Sequence, residues 1–420
     1  MKNLSCFIIT FLFCFVLVIS VESTHAQLWK KIKSEVKNRA ENNVVNKAGN
    51  TTDKAIDNTA DAAKGNKSTN KSVADNAGNQ NTSDVEGPVN NNVKKIGNYE
   101  NYDFVPGDKI IFQPDLRSES DAELPARFTI FEGNAEIQSY EGEKILHIDH
   151  GARTVVLPLM DSKNYLPEQF TIEMDIMYEK NTESASTFNT FGVELRKPDD
   201  NLHGTPPHSL VLVSNDRYEW GDVKTSRNKL PEALVRSLQT PDTWHHIAIY
   251  VRKNIGKAYV DQYRVAASNT LTTGFGFIDI KSDGNAGFKI KNFRLAAGGD
   301  DKYNKIVTEG KFITHGILFD VNKSSIKPES MGALNEIVKM MKEHNDLKFE
   351  IDGHTDSDGK ADVNLKLSQD RADAVKDKLT EMGIDDARLT TKGFGATKPI
   401  DKNDSAEGKA NNRRVEFVKM

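Results

Sequence analysis

Two ionisable residues stand where a binding crevice could be built. Asp356 closes Gly353-His354-Thr355-Asp356, just past an alternating run at 347–354 in which Phe349 and Ile351 face one way and Glu350 and Asp352 the other. Arg371 lies in Asn364-Leu365-Lys366-Leu367-Ser368-Gln369-Asp370-Arg371-Ala372, on a predicted helix with Leu367 and Val375 four residues to either side. An arginine on that stripe loses solvation and requires an anion. A strand end and the start of a facing helix commonly border one crevice. One fixed anion and one fixed cation across it suit a zwitterionic ligand group. The same two residues could instead pair with each other, and spacing alone leaves both readings open.

Three other groupings invite chemistry. Glu173, Asp175 and Glu179 share one face of a predicted strand, and a carboxylate pair can supply nucleophile and general acid. The spacing misses the Glu-x-Asp-x-(x)-Glu pattern of jelly-roll glucanases by one position. Ile172, Met174, Ile176 and Tyr178 take the other face, as on any half-exposed strand. His245 and His246 are adjacent, so on a strand they point to opposite faces and cannot chelate one metal together. One is expected beside Trp244 and the other in solvent. Asp356-Ser357-Asp358-Gly359 places its glycine too early for a calcium loop and lacks the closing glutamate. No catalytic constellation, metal site or cofactor motif emerges.

The elements that must position these residues fall into distinct textures. Lys2, an apolar run at 4–20 and Thr24-His25-Ala26 read as a secretory signal peptide over 1–26. Cys6 and Cys14 both lie inside it, and Cys14 sits between Phe13 and Phe15, unlike a lipidation site. The mature chain would then hold no cysteine, which suits an oxidising compartment and excludes thiol chemistry. Residues 27–103 read as a flexible linker rich in Asn, Lys, Ala, Thr and Ser, opening with a helix-like spacing of Leu28, Ile32 and Val36. Residues 107–297 carry short alternating runs divided by Gly, Pro and Asp turns, the pattern of an antiparallel β-sandwich. Residues 311–420 alternate strand and helix in the order βαβαββ: strands at 312–319, 347–354, 388–393 and 413–419, helices at 328–344 and 362–382. The first helix carries the stripe Leu334, Ile337, Val338 and Met341. With 56 Lys and Arg against 61 Asp and Glu, the chain lacks the basic surplus expected of a nucleic-acid binder.

The C-terminal motifs come in series: Phe319-Asp320-Val321-Asn322, Gly353-His354-Thr355-Asp356, Asn364 to Ala372, Gly393-Phe394-Gly395 and Asn411-Asn412-Arg413-Arg414-Val415-Glu416-Phe417. In that order they resemble the OmpA/MotB/Pal peptidoglycan-binding family over about a quarter of the chain. The resemblance implies that Asp356 takes the ammonium, and Arg371 the carboxylate, of diaminopimelate, the cross-linking residue of Gram-negative peptidoglycan. It further implies that Asp320, Thr355, Asn364, Leu367 and Arg414 border the pocket. Asn411, Asn412 and Arg413 are expected to order the final strand. Gly408-Lys409 departs from the family's usual Gly-Arg, keeping the charge but not the fork. Upstream, Phe170 to Asp175, Thr243 to Ala248 and Gly256 to Asp261 resemble concanavalin-A-like or laminin-G-like jelly rolls.

The expectation is a non-catalytic, exported envelope protein of the periplasm. It would bind peptidoglycan of the diaminopimelate type and tether the wall to an outer-membrane or surface partner. The competing expectation is a sandwich that binds or hydrolyses glycan, with the C-terminal module only its wall anchor.

Overall fold

The computed structural model describes Tyr99 and residues 101–420, apart from 150–152, 180–188, 204–208, 215–217, 221–230, 285–286 and 300–301. The expected signal peptide, and the expected linker as far as residue 98 with its expected opening helix, lie outside the described residues. Among the described residues, no helix is long and apolar enough to cross a membrane.

Two antiparallel sheets occupy the middle of the chain. The first joins β1 (Lys109–Phe112), β3 (Ala135–Tyr140), β4 (Glu143–Ile148), β6 (Gln169–Tyr178), β10 (His245–Arg252), β11 (Ile255–Val260), β12 (Tyr263–Ser268) and β14 (Phe288–Ala297). Its order is β12-β11-β10-β6-β14-β4-β3, with β1 also paired to β14. The second runs β2-β5-β13-β7-β8-β9, from β2 (Phe128–Glu132), β5 (Thr154–Pro158), β7 (Asn189–Arg196), β8 (Ser209–Ser214), β9 (Tyr218–Trp220) and β13 (Phe277–Gly284). The two-residue side-chain period makes the core. Phe170, Ile172, Met174 and Ile176 of β6 share one buried cluster with Phe191, Val193 and Leu195 of β7 and with Ile278 and Ile280 of β13.

The other face of β6 corrects the sequence reading. It was expected to be half exposed, yet Thr171, Glu173 and Met177 are buried too. The cause is that the C-terminal module packs over this sheet. Ala248 of β10 and Tyr259 of β11 belong to one cluster with Tyr99, Tyr102 and Phe104 and with Ile306, Ile317, Met331 and Leu334. Tyr102 and Phe104 each meet the Tyr259 ring edge-on, with centroids 5.4 Å apart. The expected linker therefore ends earlier than residue 103, because Tyr99 and Tyr102 are core residues.

The module comprises β15 (Lys311–Thr314), α3 (Met331–Glu343), β16 (Phe349–His354), α4 (Ala361–Glu381), β17 (Leu389–Gly395), α5 (Ala406–Asn412) and β18 (Val415–Lys419). Between the sheets' strands and this module lie α1 (Glu232–Leu238) and α2 (Lys302–Glu309). The module's sheet order is β15-β18-β16-β17, with β16 and β17 parallel and the other pairs antiparallel. Phe312 and Phe417 stack at its centre with Phe349 edge-on to both, and Leu334, Ile337, Val338 and Met341 are buried as their stripe predicts. Two details differ from the βαβαββ expectation. The first strand ends at Thr314, and the chain onward makes only the bridge between Phe319 and Ile326. A helix, α5, stands between the last two strands: the Ser405 hydroxyl accepts from the Gly408 N–H at 3.0 Å and caps it. Its two asparagines have weak helix propensity, which hides it from the sequence.

Candidate functional site

Helix α4 lies close against β16 and β17 because glycines face it. A Cβ on Gly353 would stand 2.1 Å from the Ser368 carbonyl oxygen, and one on Gly393 would stand 2.5 Å from the Gln369 nitrogen. That approach sets the mouth between the C-terminal end of β16 and the N-terminal half of α4.

Asp356 sits at this mouth, only 8% exposed. Its Oδ1 accepts from the Asp358 N–H at 3.0 Å, and its Oδ2 from Arg413 Nη1 at 2.5 Å. The turn is held by neighbours: Thr355 Oγ1 donates to the Asp356 carbonyl at 2.9 Å, and Asn364 Nδ2 donates to the carbonyls of Asp356 and Asp358 at 3.3 and 2.9 Å. Gly359, at φ +89°, reverses the chain before α4. Asp358 itself takes Lys409 Nζ at 2.7 Å, so the lysine that replaces the family's arginine reaches the same turn.

Arg371 follows a different course from the one its spacing predicted. The buried stripe of α4 is Asn364, Ser368, Ala372, Val375 and Leu379, one position round from Arg371 and Leu367, which are both half-buried. The guanidinium turns instead to the loop before α3. Its Nε donates to the Lys323 carbonyl at 3.0 Å and its Nη2 to the Asp320 carbonyl at 3.4 Å, with Phe319 beneath it at 4.9 Å. Among the described residues it has no carboxylate within ion-pair distance. Burial and the nearby charge of Arg413 lower its pKa, against the opposing charge of Asp356. Asp356 and Arg371 thus lie near enough for their charges to interact without pairing directly.

The remaining expected residues divide. Asp320 offers its carbonyl to Arg371 and its carboxylate to Ser325 Oγ at 2.8 Å. Thr355 and Asn364 shape the Asp356 turn. Arg414 is buried in an internal arrangement, with Nε on Glu416 at 2.8 Å and Nη2 on the Lys398 carbonyl at 3.0 Å. Its neighbour Arg413, expected only to order the last strand, is the residue that meets Asp356. Adjacent side chains in an extended segment point oppositely, so only one of the two arginines could do so. Asn411 and Asn412 lie in α5, just ahead of the final strand they are expected to order.

The other candidate groupings are committed elsewhere. Glu173 accepts from Arg294 Nε at 2.8 Å, Asp175 faces His246 Nδ1 at 2.8 Å, and Glu179 faces His147 Nε2 at 3.1 Å and also pairs with Lys289. The His147 hydrogen bond, against partial burial and with help from Lys289, holds the Glu179 carboxyl down at about 2. A general acid requires the opposite shift. The expectation of one solvent-facing histidine is corrected: both are buried, His245 against Asp261 at 2.8 Å and His246 against Asp175. The reason is again the packing of the module over that face of the sheet.

Residues 318–413 match the OmpA family. "Probable lipoprotein YiaD" of Escherichia coli (strain K12) is 40% identical over 104 residues, which cover 25% of this chain and 48% of that protein. Peptidoglycan-binding protein ArfA of Mycobacterium bovis is 36% identical over 102 residues, covering 24% of this chain and 31% of that one. Among solved structures, the peptidoglycan-associated lipoprotein from Burkholderia pseudomallei is 30% identical over 25% of this chain and 88% of its own, with a TM-score of 0.24. The chain spans half or less of the length of these two curated relatives.

Proposed function

Because residues 318–413 form an OmpA family domain, we propose that this protein anchors itself non-covalently to peptidoglycan through the zwitterionic end of diaminopimelate. The observation that carries the reading is Arg371: a half-buried guanidinium, oriented by two backbone carbonyls, with no carboxylate of its own among the described residues. An incoming carboxylate supplies the missing anion, and the ligand ammonium takes Asp356 in place of Arg413. ArfA, by its name a peptidoglycan-binding protein, supports the ligand class. No step of bond making is involved. The site is proposed to lie in the envelope, with the upstream jelly-roll sandwich holding an outer-membrane or surface partner.

Co-sedimentation of the full chain with purified sacculi tests this. Wild type is expected to pellet with diaminopimelate-type sacculi and much less with lysine-type sacculi. Asp356→Ala and Arg371→Ala are expected to lose about tenfold or more in affinity, the size of one charge-assisted hydrogen-bonded contact, while each variant still shows a cooperative unfolding transition well above the assay temperature. Equal binding by the variants, or none by wild type, rejects the assignment.

A further inference from the structure

The sandwich brings a third guanidinium, beside those of Arg371 and Arg413, to the mouth of the same site. β1 is locked to α5 by Asn411, whose Oδ1 accepts from the Ile110 N–H at 2.8 Å and whose Nδ2 donates to the Ile110 carbonyl at 3.1 Å. Immediately past Phe112, the buried last residue of β1, Glu407 of α5 accepts from the Gln113 N–H at 3.3 Å and pairs with Arg127 at 2.6 Å. Residues 113–118 therefore leave the sheet from a fixed point on the helix whose Lys409 reaches Asp358. They fold at once into a short turn, Leu116–Ser118, capped by the Asp115 carboxylate, which accepts from the Arg117 N–H at 3.1 Å.

Within that turn Arg117 is held like a tool in a clamp. Its Nε and Nη2 donate to Asp115 at 2.8 and 2.6 Å, and these bonds hold the Asp115 carboxyl below the usual range. Nη2 stands 3.7 Å from Asp358 Oδ2, and Asp358 in turn gives its N–H to Asp356. Nη1 has no hydrogen-bond partner among the described residues, and the side chain is 69% exposed. An exposed pair at that separation contributes little to stability. A guanidinium already fixed by its own carboxylate, however, loses little freedom when it binds an anion.

We propose that Arg117 binds a second carboxylate of the stem peptide whose zwitterionic end is held by Asp356 and Arg371. The inference rests on the diaminopimelate reading above. The stem supplies the group: D-glutamate and the backbone end of diaminopimelate each carry a further carboxyl. The sandwich is then part of the binding site, and affinity for the wall depends on which stem carboxylates remain free.

Calorimetric titration of the full chain with two probes decides the matter. One is the tripeptide L-Ala-D-Glu-diaminopimelate; the other is the same peptide amidated at every carboxyl outside the zwitterionic end. Wild type is expected to prefer the free-acid peptide by about threefold to tenfold, the range of one solvent-exposed charge-assisted contact. Arg117→Ala is expected to abolish the preference, leaving affinity for the amidated peptide and the thermal unfolding midpoint as in wild type. Arg371→Ala weakens both peptides. If Arg117→Ala binds the free-acid peptide as wild type does, or loses equally on both, the assignment of Arg117 is overturned while the central pocket stands. If wild type binds neither peptide, the diaminopimelate reading fails, and the role of Arg117 fails with it.

Discussion

Arg294→Ala should damage two parts of the molecule at once. Arg294, on β14, donates through Nε and Nη2 to Glu173 of β6 and through Nη1 to the His315 carbonyl of the C-terminal module at 2.9 Å. Glu173 is 3% exposed, and burial by itself would raise its pKa; Arg294 and His246 outweigh that and hold the carboxyl below the usual range. Without Arg294 the carboxylate keeps only His246, at 3.7 Å, and the His315 carbonyl loses its donor. Breaking a buried pair from one side costs about 3–5 kcal/mol, a large part of the roughly 5–15 kcal/mol that holds a typical domain folded. Glu173→Gln in the same background should recover part of the loss, since a neutral amide is less costly to bury. Because the carboxyl is held low, its contribution is present above the unfolded carboxylate range and is lost as pH falls through the folded value. Urea unfolding at neutral pH provides the assay. Tryptophan fluorescence follows the sandwich, because the chain's three tryptophans are Trp29, Trp220 and Trp244 and none lies in the module. Circular dichroism at the helical band follows mainly the module, through α3 and α4. Both midpoints should drop together. A loss of less than about 1 kcal/mol, within reach of an ordinary surface substitution, or a fluorescence midpoint that moves alone, refutes the shared buried interface.

His315 provides a pH test of the same interface. Its Nε2 donates to the Asn411 carbonyl at 3.0 Å, and burial pushes its pKa down to about 4. The unfolded imidazole titrates near 6.5, so the unfolded chain binds the extra proton between those values and stability falls as pH drops through that window, by at most about 3 kcal/mol. His315→Gln should make the acid limb of the stability profile shallower without abolishing it, since His354 is pushed down to about 4 in the same way. His246 has the opposite sign, with its pKa raised to about 9, and it is common to both proteins, so their difference isolates His315. Gly353→Ala is expected to cost about 1–3 kcal/mol by overpacking, because its Cβ meets the Ser368 carbonyl. By shifting α4 it should also weaken sacculus binding, and unfolding and co-sedimentation together check both effects.

The sequence carried the module's elements well where one period dominated. The stripe Leu334, Ile337, Val338 and Met341 is buried as its 3.6 spacing requires, and α4 begins and ends within a residue of the expected 362–382. What it did not carry were effects imposed by neighbours. Nothing in the alternation of β6 reveals that a second layer covers Glu173 and Thr171. Polar residues on a strand face signal solvent unless the partners that satisfy them, here Arg294 and His246, are known in advance. The same limit applies to Tyr99 and Tyr102, embedded in an Asn- and Lys-rich stretch whose composition argued for a linker. In the candidate site, residue types and order singled out Asp356 and Arg371 as candidates, while the choice between Arg413 and Arg414 as the partner of Asp356 required the direction of one extended segment. Arg117 had no local signal at all, since it reaches the site from a residue more than two hundred positions away.

The charges around Asp356 account for a preference for zwitterions on the proposed reading. Asp356 is neutralised by Arg413 and Asp358 by Lys409, while Arg371 has no carboxylate within ion-pair distance among the described residues. A bare cation gains Asp356 only by displacing Arg413, and it adds positive charge beside two guanidinium groups that already oppose each other, as the lowered pKa of Arg371 reflects. A bare anion satisfies Arg371 but leaves the Asp356–Arg413 pair closed and takes nothing from it. A ligand with an ammonium beside a carboxylate does both: the ammonium replaces Arg413 on Asp356, and the freed guanidinium can join Arg371 on the incoming carboxylate. Total charge at the site is unchanged, and every buried ion keeps a partner, the condition under which burying charge is tolerated. A lysine side chain brings only the ammonium. On the proposed reading, discrimination between diaminopimelate and lysine walls follows from the Arg413 counter-ion as much as from Asp356 and Arg371.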